Sequence, residues 1–155
     1  MRYIAAICLL SACTNDDSGR DLIEVTAADT ALCQILQAAT PDPVQAAPDT
    51  GSNLFIASTH EFGKRILLNG ETAPYSGYII HEAPEQGRYS FGTDAVVEIR
   101  VDSSGEVGTS AQAAGCDELE QRTELTATDT IEFLYIESVV PEFLLSSVFT
   151  ADFAE

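Results

Sequence analysis

Residues 75–107 constrain the fold more than any other stretch of this chain, because they hold three apolar segments separated by turn-forming sequences. In the third segment Val97, Ile99 and Val101 alternate with charged residues, which is the period-two pattern of a strand with one buried face. Residues that favour turns, namely Pro, Gly, Asp and Ser, are concentrated at 83–87, 92–94 and 102–105. We therefore expect a β-meander in this region.

Short apolar segments continue this pattern along the chain. We expect strands at 54–58, 62–68, 122–126 and 131–138, and a last strand or short helix at 143–149. Asn69-Gly70 is a favourable hairpin turn after the second of these. The segment 131–138 is apolar at both alternating sets of positions, which is typical of a central strand covered on both sides.

The remaining segments are less regular. Residues 22–25 suggest a short strand, and Asp29 or Thr30 could cap a helix that extends through Ala39, although a buried strand fits the same residues. The Pro-rich residues 40–53 and the small residues 108–115 are expected to be loops. About seven or eight short strands with frequent turns predict an all-β fold, a small antiparallel β-sandwich or jelly roll with at most one short N-terminal helix.

The composition limits the partners. The chain of 155 residues fits one domain, which we place at residues 22–155, and its 7 basic and 25 acidic residues give a net charge of −18. Such a field repels phosphate backbones, so we expect no nucleic acid partner. The favoured interpretation of the charge is solubility or adaptation to salt, and the alternative is the attraction of a cationic envelope protein or a divalent ion.

The N-terminus has the features of an export signal. Residues 1–12 contain one Arg followed by a short apolar run, which is too short to span a bilayer. Residues 13–21 are polar and contain glycine, and are expected to form a tether between the signal and the domain.

Leu10-Ser11-Ala12-Cys13 resembles the lipobox of bacterial lipoproteins. The resemblance implies cleavage before Cys13 and acylation of its thiol, so that the acyl chains hold the protein at a membrane. Thr14 follows where an Asp would resemble an inner-membrane retention signal, and the expected location is therefore the outer membrane, facing the periplasm. The alternatives are an ordinary cleavable signal or a short buried strand, with Cys13 beside it by chance.

Two cysteines remain after the signal and the acylated residue are set aside. Cys33 and Cys116 form an even pair in an oxidising compartment, and such pairs are usually bridged. We expect a structural disulfide; two separate buried thiols are the alternative.

His60-Glu61 and His81-Glu82 repeat one dipeptide, and imidazole with carboxylate suits a transition metal or acid–base chemistry. A chance pair of surface histidines is the simpler interpretation, and the familiar hydrolase and nucleotide-binding motifs are missing from the sequence. We therefore expect no cofactor and no enzymatic activity, with a metal-binding protein or enzyme using His60 and His81 as the alternative.

Residues 49–52, Asp-Thr-Gly-Ser, resemble the active-site signature of aspartic proteases. The resemblance implies that Asp49 would share a proton with a second aspartate across a homodimer, because the signature occurs once. An ordinary Asp-Thr-Gly turn is the favoured interpretation.

Residues 73–138 are similar in pattern to small accessory β-sandwich modules, such as the pre-peptidase C-terminal domains, which carry no catalytic residues. The sequence thus predicts a lipid-anchored envelope protein whose acidic sandwich is a non-catalytic binding or structural module. Periplasmic lysozyme inhibitors are one conceivable case, since an acidic lipoprotein suits a strongly basic target.

Overall fold

The computed structural model describes residues 23–38, 43–51, 56–57 and 63–150. The predicted signal peptide at 1–12, the tether at 13–21, Cys13 and His60 lie outside the described residues.

One helix, α1 (Ala27–Gln37), precedes the strands. Its N-cap is Thr26, whose hydroxyl accepts from the Asp29 backbone N–H while the Asp29 carboxylate accepts from the Thr26 N–H, forming a capping box. The cap was therefore predicted three residues too late, because Asp29 acts from the third helical position. The strand expected at 22–25 is wrong for the described residues 23–25, which have no regular structure.

Within the described residues ten strands form two sheets, which confirms the predicted β-sandwich with a single short helix. The strands are β1 (Pro43–Gln45), β2 (Ile56–Ala57), β3 (Lys64–Leu67), β4 (Tyr75–Glu82), β5 (Gly87–Thr93), β6 (Val97–Val101), β7 (Thr109–Gln112), β8 (Gln121–Ala127), β9 (Ile131–Ser138) and β10 (Glu142–Phe149). One sheet has the order β1-β3-β10-β5-β8-β7 and the other the order β2-β4-β9-β6. Pairing is antiparallel except between β1 and β3 and between β2 and β4.

The predicted meander at 75–107 is wrong, although its three strands exist. β4 and β6 belong to the four-stranded sheet, where each pairs with β9, whereas β5 lies between β10 and β8 in the other sheet. The turns at 83–87 and 92–94 carry the chain across the sandwich, so each strand can bury one face against the opposite sheet. Asn69-Gly70 likewise leads from β3 to β4 in different sheets, so the expected two-residue hairpin turn is wrong; Asn69 instead forms an isolated antiparallel bridge with Ser76.

Two expected loops contain strands. β1 lies within 40–53 and β7 within 108–115, and both are edge strands of the six-stranded sheet. The C-terminal segment that could have been strand or helix is the strand β10.

The main core lies between the two sheets, and β9 contributes only its alternate side chains to it, including Leu134 and Ile136. The strands covered on both sides are instead β5 and β10, because α1 packs on their outer face. A Cβ on Gly92 of β5 would stand 3.1 Å from the Leu32 Cβ of α1, so the absence of a side chain there permits the close approach of the helix.

Candidate functional site

A groove of ≈ 340 Å³, lined by residues of both sheets, lies where β4 and β6 begin and β9 ends. Three of the residues that line it are valines with much of their surface in water: Val96 is 58% exposed, Val107 51% and Val139 70%. We call it the valine groove. Apolar side chains grouped around a concave surface are typical of a place where another molecule binds.

The polar residues in the groove are held by internal hydrogen bonds. Gln121, which is 6% exposed, donates from Nε2 to the Val97 carbonyl at 2.6 Å and to the hydroxyl of Thr123 at 2.9 Å. Its Oε1 accepts from the Val97 N–H at 3.3 Å. This one side chain therefore satisfies both the N–H and the carbonyl of Val97, the first residue of β6. The wall of the groove is therefore fixed before any ligand arrives.

The groove is acidic. Glu98 on β6 and Glu137 on β9 stand directly opposite each other in the register and both line it. Like charges at opposed positions destabilise a sheet, so this pair has a cost that a bound cation would remove. None of the residues that line the groove is basic.

Arg100 and Tyr135 moderate this repulsion from outside the groove. Arg100 donates to Glu98 at 2.7 Å and lies over the Tyr135 ring at 5.5 Å, while the Tyr135 hydroxyl donates to Glu137 at 3.2 Å. The hydrogen bond to Glu98 raises the pKa of Arg100 above its already high ordinary value, so the guanidinium stays charged. The three charged residues together still carry a charge of 1 − 2 = −1.

His81 lies at the opposite end of the sandwich, buried between the rings of Tyr89 at 5.1 Å and Phe91 at 4.9 Å. Its cross-strand partner in the register is Glu132, which is also buried. A small cavity beside them holds ≈ 10 Å³, which is about the space of one water molecule.

Glu132 was not identified from the sequence, because nothing local marks it. Its Oε1 accepts from the Thr128 N–H at 2.7 Å, the Thr128 hydroxyl at 2.9 Å and the Asp129 N–H at 2.8 Å. Oε2 accepts from Ser103 at 3.3 Å. This carboxylate therefore holds the turn before β9.

The structure does not bring the two predicted histidines together within the residues it describes, since His60 lies outside them. Across the described part of the chain, no group of three His, Cys, Asp or Glu residues is arranged to hold a metal ion. Metal binding by His60 and His81 stays the alternative, whereas the favoured interpretation of a surface histidine is wrong for His81, which is 1% exposed.

Asp49 is exposed and accepts a hydrogen bond from the Gly51 N–H at 2.9 Å. Such a contact two residues along closes an Asx turn, in agreement with the favoured interpretation of this motif.

The predicted disulfide between Cys33 and Cys116 is confirmed, with the two Cα atoms 5.9 Å apart. It joins α1 to the loop between β7 and β8. In the described ranges, the one helix is too short to cross a bilayer.

Comparison of the chain with protein-family models, curated proteins and solved structures gives no match. The function is therefore argued from the geometry.

Proposed function

We propose that this chain is a lipid-anchored protein of the cell envelope whose acidic β-sandwich binds another molecule without catalysing a reaction. Acyl chains on Cys13 provide the anchor, and residues 13–21 separate the domain from the outer membrane. The observation that carries the proposal is the exposure of Val96, Val107 and Val139 around one groove. Exposed apolar side chains grouped around one concave surface mark a candidate binding site.

The chemistry of the groove supports binding rather than catalysis. Its lining residues include no His, Cys or Lys that could act as a base or nucleophile, and the Gln121 amide is occupied by the Val97 backbone. The Ser110 and Ser138 hydroxyls are hydrogen-bonded to Thr123 and to the Val96 carbonyl. The remaining groups are apolar surface and two carboxylates, which can select a ligand by shape and charge.

The disulfide supports the extracytoplasmic location. Bridges such as Cys33–Cys116 persist in oxidising compartments and are rare in the cytosol. The lipobox-like sequence before the domain agrees with the same extracytoplasmic location.

The anchor is tested by labelling the full chain with radioactive palmitate in a bacterial host. We expect label in the membrane fraction and its loss in Cys13→Ser, whereas Cys8→Ser should keep it. Label that survives Cys13→Ser, or no label in either protein, would contradict the anchor.

The binding role is tested separately with a photo-cross-linking amino acid at position 139 of the full chain, in the cells that make it. The matched control places the same group at Val25, which is 49% exposed and does not line the groove. We expect one discrete adduct from position 139, lost when Val107→Glu is added, and none from position 25. Equal patterns from both positions would contradict a binding role for the groove.

A further inference from the structure

The strand β7 forms one edge of the six-stranded sheet, and it lacks the usual protection of an edge. All four of its residues, Thr109 to Gln112, are exposed, and none is charged or proline. Natural edge strands are commonly blocked by charged side chains, Pro or bulges, because free backbone groups there pair with other chains. Its short length of 4 residues is the feature that limits pairing with another chain at this edge.

The hydrogen-bond pattern shows which backbone groups are offered. Ala113 donates to the Glu120 carbonyl at 3.0 Å, and pairs that exchange hydrogen bonds alternate along an antiparallel ladder. Thr109 and Ala111 therefore turn their backbone groups toward β8, whereas Ser110 and Gln112 turn theirs toward the open edge.

This open edge is continuous with the valine groove. Ser110 lines the groove, and its hydroxyl is within 2.9 Å of the Thr123 hydroxyl on the inner side of the sheet. Side chains alternate between the two faces of a strand, so a strand added to β7 would direct every second side chain toward the groove.

The charge indicates what such a strand must carry. Glu98 and Glu137 line the groove with no basic neighbour in its lining, and the exposed valines offer apolar contacts. A second copy of this chain is a poor occupant, because two molecules of charge −18 repel each other.

We propose that the open edge of β7 pairs with an extended segment of a cationic partner protein, which inserts apolar side chains into the valine groove and brings lysine or arginine to Glu98 and Glu137. This inference rests on the proposed binding function and specifies its mode as strand addition. The backbone pairing supplies affinity, and the groove selects the sequence.

The test uses a fluorescein-labelled short peptide of alternating lysine and valine, titrated into the full-length protein purified in detergent. We expect saturable binding, and a loss of affinity of about tenfold or more in both Gln112→Pro and Val139→Glu. Proline at position 112 removes an N–H on the open edge and leaves the pairing with β8 in place. Val25→Glu is the matched control for an exposed valine, and unchanged urea midpoints confirm that the variants fold.

Charge recognition is tested with the double variant Glu98→Gln/Glu137→Gln. We expect weaker peptide binding at low salt and a flatter dependence on salt than in the unaltered protein, because two screened attractions are lost. Glu85→Gln, an exposed carboxylate away from the groove, should change neither.

Several outcomes would overturn the inference. These are no saturable binding of the peptide, equal binding of a glutamate–valine peptide, or full binding by Gln112→Pro. Self-association that depends on concentration and is abolished by Gln112→Pro would assign the edge to a second copy. An adduct from position 139 together with any of these results would retain the binding module and reject strand addition. If the adduct from position 139 is also absent, both the proposed binding function and strand addition are rejected.

Discussion

Asp29 in the first turn of α1 accepts a hydrogen bond of 2.6 Å from Arg122 of β8, with its own side chain only 1% exposed. The same guanidinium donates to the Thr26 hydroxyl at 2.9 Å, so the capping box and the ion pair share their groups. The helix is thus fixed to the sheet by the residues that begin it, and the Cys33–Cys116 disulfide adds a covalent link.

Replacement of Arg122 by methionine should lower the free energy of unfolding by about 3 kcal/mol, because Asp29 would remain buried without its cation. Urea denaturation followed by circular dichroism measures the change. Arg88→Met is the control, since its ion pair with Glu124 lies at the surface and should contribute no more than about 1 kcal/mol. Equal effects of the two variants would mean that burial of Asp29 does not govern the stability.

Replacement of both Cys33 and Cys116 by alanine should lower the free energy of unfolding by about 2–4 kcal/mol, because the bridge restricts the unfolded chain over a separation of 83 residues. The comparison is between oxidised and reduced protein, each unfolded in urea. Reduction of the double variant should have no effect. A decrease on reduction of the variant would show that the reductant acts elsewhere.

Gly92→Ala should destabilise the protein by about 1–3 kcal/mol, because a Cβ there would lie 2.8 Å from Leu119 Cδ1 and 3.1 Å from the Leu32 Cβ of α1. The measurement is again urea unfolding. Gly51→Ala is the control, because the nearest atom to its added Cβ is the flexible Asp49 carboxylate at 3.3 Å. If Gly92→Ala leaves the free energy of unfolding unchanged, the helix can shift outward without loss of stability.

The strands were predictable because they depend on local alternation, which Val97, Ile99 and Val101 display. The sheet to which each strand belongs was not, since a turn such as 92–94 has the same composition whether it closes a hairpin or crosses the sandwich. For a related reason, the sequence did not predict that β5 is covered on both faces. Its buried residues include Ser90, Gly92 and Thr93, which the sequence gives no reason to regard as core.

The candidate site was even harder to predict from the sequence. The disulfide followed from counting cysteines, and His81 was noted for its chemistry. Its burial against the rings of Tyr89 and Phe91 was not predictable, because it depends on the next strand, β5, lying in the opposite sheet. The valine groove joins Val96, Val107 and Val139 from three loops or strand ends, which no periodicity connects. The one available signal was Val139, an apolar residue two positions before Pro141, where a turn is expected and an exposed valine is unusual.

Glu132→Leu should lower the free energy of unfolding by about 1–3 kcal/mol, because the two N–H groups and the hydroxyl that donate to its carboxylate at the part-buried turn before β9 would lose a charged acceptor. Glu132→Gln retains an oxygen that can accept from the same donors, and its loss should be smaller. Glu142→Leu is the control, because its carboxylate is half exposed and makes only a surface ion pair with Arg65. Urea midpoints give the stabilities, and amide hydrogen exchange at Thr128 and Asp129 locates the effect, which should be faster exchange in Glu132→Leu. Unchanged exchange at those two amides would show that the turn is held by its backbone alone.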